Sequence, residues 1–155
     1  MIVETTHEDY TSLCLNRAPG TYRLADSPIA PAQVLELLAS IAAEVRQTFS
    51  PASWLIIEDN EIVGLCSIKR PPEDGVIDIG YGIAPSRQNR GVARKAVGDI
   101  VAWARAAPQV TAITAETTPS NVASQRVLEH NGFVRTGERM DDEDGLVICW
   151  HCAVG

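Results

Sequence analysis

Four cationic side chains crowd one short stretch of an acidic chain. In "SRQNRGVARKA", residues 86–96, Arg87, Arg90, Arg94 and Lys95 stand with no acid among them, and Gly91 sits at the centre, although the whole chain carries a formal net charge of −7. A solvated basic helix face would account for such a run. The sharper reading is a bound anion. Pro85 closes a β-rich run before the stretch, and a helical apolar stripe begins at Val92. A helix start offers unsatisfied backbone N–H groups and the positive end of the peptide dipoles. Gly91 and the small Ala93 leave room for a bulky anion to reach that backbone, and the arginines add side-chain donors. The stretch therefore reads as a phosphate or pyrophosphate seat.

Other residue types invite chemistry too. Glu116 is a carboxylate near the end of the otherwise apolar run "VTAITAE", where burial would raise its pKa toward that of a working base; a solvated strand end is the plainer alternative. Asp78 interrupts "VIDIGYGI", either facing a cleft or pairing with a base at the sheet rim. Asn121 suits a helix N-cap, and Ser124 follows one turn later. "CWHC" at 149–152 lacks a second ligand pair, and strand alternation puts Cys149 and His151 on one face and Cys152 on the other, so no metal is expected.

These residues need elements to hold them. "THEDYTSLCL" predicts a short helix with Thr6 as N-cap. Residues 18–31 read as irregular or a short strand. Val34, Leu37, Leu38, Ile41, Ala42 and Val45 mark a helix stripe between Pro31 and Phe49. "SWLIIEDNEIVGLCSIK" predicts a hairpin and "VIDIGYGIA" a third strand. A helix follows on Val92, Ala93, Ala96, Val97, Ile100, Val101 and Ala104, ending before Pro108. "VTAITAET" reads as a buried strand and "VASQRVLEHNG" as a helix closed at Gly132. "FVRTGERM" and "GLVICWHCAV" are strands joined by the acidic turn "DDEDG". Strands alternating with helices in the middle of the chain require parallel pairing through crossovers, and the closing hairpin adds antiparallel strands. The fold class is α/β (α+β): a mixed central sheet with helices on both faces.

The basic run matches neither a P-loop nor a dinucleotide fingerprint. It does carry a resemblance. "IGYGIAPSRQNRGVARKAV" resembles the acetyl-CoA-binding segment of the GNAT acetyltransferase superfamily, whose pattern [Q/R]-x-x-G-x-[G/A] is met by Gln88, Gly91 and Ala93. "ETTPSNVASQRVLEHNGF" is similar to that family's later strand and helix, with Asn121, Ser124 and Gly132-Phe133 in place. The pattern stands nearest the ribosomal-protein-alanine N-acetyltransferase branch. The resemblance implies a single GNAT domain over 1–155. It implies acetyl-CoA as co-substrate, held by Ile83, Arg87, Gln88, Asn89, Arg90, Gly91, Val92, Ala93, Arg94 and Asn121. The second substrate would be a primary amine on a small molecule or a protein N-terminus, acetylated directly in a ternary complex.

The same resemblance assigns chemistry. Glu116 takes the place of the branch's proposed general base, Asn121 contacts the pantetheine arm or the reacting end, and Ser124 hydrogen-bonds the departing sulfur. Many relatives place a tyrosine seven residues after the asparagine; here that position is Leu128, so the thiolate falls to Ser124 or to water. A GNAT-fold module that binds CoA without turnover is the alternative reading. The acidic balance, 20 acids against 13 bases, argues against nucleic acid as the main partner. The four cysteines are too few and irregular for a disulfide framework, and no apolar run approaches the ~18 residues of a membrane span. With no signal peptide legible in "MIVETTHEDYT", a cytoplasmic location is expected. The final hairpin is a candidate homodimer edge.

Overall fold

A computed structural model describes residues 1–155. Its strands are β1 (Ile2–Glu4), β2 (Arg23–Leu24), β3 (Ser53–Glu58), β4 (Glu61–Ile68), β5 (Val76–Ile83), β6 (Ala112–Thr117), β7 (Val134–Asp141) and β8 (Gly145–Ala153). Its helices are α1 (His7–Cys14), α2 (Ala32–Arg46), α3 (Val92–Ala106) and α4 (Val122–His130). One sheet runs β1-β3-β4-β5-β6-β8-β7, with β2 added against β4. Neighbours are antiparallel except β5–β6 and β2–β4. The β5-to-β6 crossover is α3, as parallel pairing requires.

The strand register sorts the two faces. Cys66 lies opposite Tyr81 and Ile68 opposite Ile79, so these side chains share the face that carries α3 and α4. There Trp54 meets Trp103 of α3 edge to face, with ring centroids 5.0 Å apart. The stripe of α3 is buried at Val92, Ala96, Val97, Ile100, Val101 and Ala104. Ala93, expected within that stripe, is only half-buried. Helices α1 and α2 cover the opposite face of β3 and β4: Tyr10 of α1 bonds Ser53, and Arg46 of α2 donates to Thr5, which bonds the same serine. Thr6 caps α1 in a full capping box with Asp9.

Two expectations are corrected. In α2, Val34 and Leu37 are 41% and 59% exposed. The row that faces the sheet is Leu35, Leu38, Ala42 and Val45, and two adjacent apolar rows cannot be ranked by periodicity alone. The chain also begins with β1, three residues too short to show alternation, held by pairing of Val3 with Leu55.

Candidate active site

The parallel ladder between β5 and β6 stops at Ile79 opposite Ala115. β5 continues to Ile83 against β4 alone, and β6 continues to Thr117 against β8 alone. The two strands therefore splay apart. The N–H of Lys69 donates to Asp78 O, and the N–H of Ala84 to Val63 O. By antiparallel alternation, the main-chain groups of residues 79, 81 and 83 point the other way, and beyond Ile79 they face the opening. Gln88 caps one of these by donating to Ile83 O at 3.0 Å.

The opening leads to the start of α3. After the single 3₁₀ turn at Pro85–Arg87, Asn89 has φ 62° and Gly91 has φ 76°. Gly91 is the N-cap, and no side chain caps the helix there. None of the backbone N–H groups from Asn89 to Arg94 donates to a protein acceptor. A β-carbon at Gly91 would meet nothing within 4 Å, so this donor row opens outward. It lines a cavity of about 680 Å³ that also takes in Tyr81, Ala93, Asn121 and Ser124. A row of free N–H groups at a helix start suits an anion with many oxygens, as a pyrophosphate has. Arg126 and His130 of α4 stand on the far wall. No pattern in the sequence marked them, because they face the cavity only through the packing of α4 on α3, where Asn131 donates to Arg94 O at 3.0 Å.

The arginines of the basic run divide. Arg94 lines the cavity. Arg87 borders it, but its guanidinium is taken by Glu61 and Asp26, which push its pKa upward. Arg90 lines a separate depression with Arg23, Glu58 and Glu61. The expectation that all three supply side-chain donors to one anion is corrected accordingly. Glu61 and Asp26 lie at least 26 positions from Arg87 in the chain, beyond the reach of local reading.

Asn121 combines both readings considered for it. Its side-chain oxygen accepts from Ser124 N at 3.2 Å, as an N-cap does, and the residue also lines the cavity. Ser124 is half-buried there. Leu128 is 0% exposed within the core, so a tyrosine at this position would compete for core volume. The structure differs most from expectation at Glu116. The carboxylate is gripped on both oxygens by Arg139, and Lys69 approaches to 3.5 Å. The Arg139 hydrogen bonds, aided by Lys69, hold its pKa below the ordinary carboxylate value against the push of burial. The expected rise is overturned, because partners from β7 and the end of β4 outweigh desolvation. Asp78 pairs with Arg70 at 2.7 Å and accepts from Thr114 at 3.0 Å, the rim pairing weighed above. In β8, Cys149 and His151 lie opposite Glu116 and Thr114, while Cys152 lies opposite Ile113 on the other face.

Comparisons with known proteins agree with this architecture. The family model "Acetyltransferase (GNAT) domain" matches residues 1–134. An uncharacterized N-acetyltransferase of Bacillus subtilis (strain 168), YjdG, is 36% identical over 85 residues, 53% of this chain. The match spans about half, 51%, of that relative's length. Among solved structures, the ribosomal-protein-S5-alanine acetyltransferase of Vibrio fischeri superposes with a TM-score of 0.72 at 16% identity, over 99% of this chain and 92% of that one. The aminoglycoside acetyltransferase AAC(6')-Ib, in complex with ribostamycin and coenzyme A, gives 0.70 at 20% identity over the same shares. At such identities the superpositions speak for the fold, and the family match over most of the chain speaks for kinship: the chain belongs to the GNAT acetyltransferase family.

Proposed function

We propose that this chain transfers an acetyl group from acetyl-CoA to a primary amine, directly and within a ternary complex. One observation carries the reading: the free N–H row from Asn89 to Arg94 shares a cavity with the splay of β5 and β6 and with Ser124. The three suit the three parts of acetyl-CoA. Pyrophosphate oxygens would accept from the start of α3, with Arg94 at hand. The amide-bearing pantetheine arm would pair with the outward main-chain groups of residues 81 and 83, as a strand would. The thioester would then lie near Ser124. Coenzyme A structures of AAC(6')-Ib, which shares this fold, support the choice of donor. Proteins that share this fold include an aminoglycoside acetyltransferase and a ribosomal-protein-S5-alanine acetyltransferase, both named for amine-bearing acceptors.

Direct transfer fits the thiols. Cys66, which lies opposite Tyr81 on β4, is fully buried, and burial pushes its pKa up to about 12. Burial also raises Cys149, with Glu116 adding to the effect. Neither supplies a thiolate to carry the acetyl group between substrates. The amine attacks the thioester carbon, the C–S bond breaks, and its electron pair leaves on sulfur. The nitrogen loses one proton and the sulfur gains one. Glu116, held low in pKa and gripped by Arg139, is a poor proton acceptor, so the amine proton leaves to water. Glu116 instead holds Lys69 and Arg139 beside the opening. Asn121 fixes the first turn of α4 and so the place of Ser124.

A panel of primary amines with acetyl-CoA, read by release of CoA thiol, tests the proposal. Acceptor-dependent release with acetylated product supports it. Tight acetyl-CoA binding with no release for any amine supports the non-catalytic binding module instead.

A further inference from the structure

Among the buried side-chain polar atoms of this chain, one has no hydrogen-bond partner: the Tyr81 hydroxyl. Buried polar groups are nearly always satisfied, so an orphan calls for an explanation. Tyr81 stands on β5 just beyond the last β5–β6 pair, Ile79 with Ala115. It lines the main cavity together with Ser124 of α4. The serine hydroxyl is near enough to offset part of the upward push that burial exerts on the phenol. Both hydroxyl-bearing side chains line the same cavity, and the Tyr81 oxygen makes no hydrogen bond within the protein. Cys66, the residue opposite Tyr81 on β4, is buried. Helix α4 carries no tyrosine of its own, and its Leu128 is sealed in the core.

Resting on the acetyl-transfer reading, we propose that Tyr81 is a positioning residue for the leaving thiolate: its O–H donates to Ser124 Oγ and turns the serine's own O–H toward the sulfur. A serine hydroxyl has one proton to give and two lone pairs to accept with. When Tyr81 occupies one lone pair, the serine proton is directed away from the phenol, into the cavity. There it stabilises the electron pair that sulfur receives as the C–S bond breaks. The thiolate then takes its proton from solvent, which has received one from the amine, so no net proton is consumed. Tyr81 stays protonated throughout, in keeping with its burial.

The test is a double-mutant cycle on the full chain with acetyl-CoA and the best amine of the panel. Tyr81→Phe removes one oxygen and keeps the ring. It should lower kcat about tenfold, the scale of one neutral hydrogen bond, with the acetyl-CoA Kd unchanged by calorimetry. The unfolding temperature should hold or rise, since an unpaired buried hydroxyl is removed. Ser124→Ala should lower kcat at least as much. In the Ser124→Ala background, Tyr81→Phe should then change nothing, because its effect passes through the serine. Wild-type kcat in Tyr81→Phe, or losses that multiply in the double variant, overturns the inference and leaves the transferase reading standing. A lowered unfolding temperature that accounts for the lost activity makes Tyr81 structural and overturns it too. A wild-type chain that binds acetyl-CoA and transfers to no amine overturns both.

Discussion

The start of α3 and the sheet face around Glu116 flank the same strand opening, and they treat polar groups in opposite ways. At α3, the N–H groups from Asn89 to Arg94 are left with no acceptor in the protein. Around Glu116, charges are paired with one another: Arg139 and Lys69 hold Glu116, Arg139 also bonds Asp141, and Arg70 holds Asp78. Groups that a fold leaves unanswered next to a cavity are available to a ligand. Groups that it pairs off are spent on holding strands together. By this measure the proposed reading puts binding at the cradle and makes Glu116 part of the scaffold beside it.

The largest expected effect comes from closing the cradle. Gly91→Val places a branched side chain in a left-handed conformation, costing roughly 1–2 kcal/mol of stability, and blocks the donor row. Acetyl-CoA binding measured by calorimetry should disappear while far-UV circular dichroism still reports a folded chain. Unchanged affinity would remove the cradle from the site. Ala93→Glu sharpens the contrast, because its effects on folding and binding carry opposite signs. A carboxylate in the first turn of α3 favours the helix by about 0.3–1 kcal/mol, yet it repels a phosphate from the same donors. We expect affinity to fall by roughly 10–100-fold at low salt, less at high salt, with the unfolding temperature held or raised. A parallel loss of stability and binding would break the argument.

On the paired side the effects should be smaller. Glu116→Gln should lower kcat by less than about tenfold and leave the acidic limb of the pH–rate profile in place. A loss of ~10²–10⁴-fold, the scale of a positioned base, with a changed limb, would restore Glu116 as the proton acceptor. Smallest is the effect of pH on folding. The Glu116 carboxyl is held below its unfolded value, so its contribution to stability is present above about pH 4.3. That contribution is lost as pH falls through the lower, folded value. Arg139 is 43% exposed, and solvent screening keeps the term small. Urea unfolding of Arg139→Ala should show a shallower loss of stability below pH 4 than wild type. Identical slopes would show that the pair contributes nothing.

The same contrast explains what could be read from the chain before its structure. The cradle was legible because its makers are neighbours: Pro85, Gln88, Gly91 and Ala93 lie within nine residues, and a strand end, a turn and a helix start follow from their types. The crossover helices and the closing hairpin were legible for the same reason. The ion pairs were not. Arg139 is 23 positions from Glu116, and Glu61 is 26 from Arg87; only the sheet register brings them together. Composition showed that acids and bases were present, but not which would be neutralised. Hence local reading raises the pKa of Glu116 where the fold lowers it, and sends Arg87 to an anion where the fold gives it to Glu61. Tyr81 escaped notice because a tyrosine in a β-rich run is ordinary, and its hydroxyl becomes unusual only once its surroundings are seen.

The donor row of α3 belongs to the main chain, and this bears on how the sequence can drift. Main-chain donors do not change with the letter at a position, proline apart, so selection for the proposed anion would act on size and backbone conformation more than on charge. In a saturation library screened for acetyl-CoA binding, Gly91 should admit almost nothing else and Ala93 only small residues. Asn89, with its positive φ, should favour asparagine, aspartate and glycine. Arg90, whose side chain lines the other depression, should accept nearly any residue. Arg90, one of the arginines that first draw the eye, would be among the most replaceable letters of the stretch, and the glycine beside it the least.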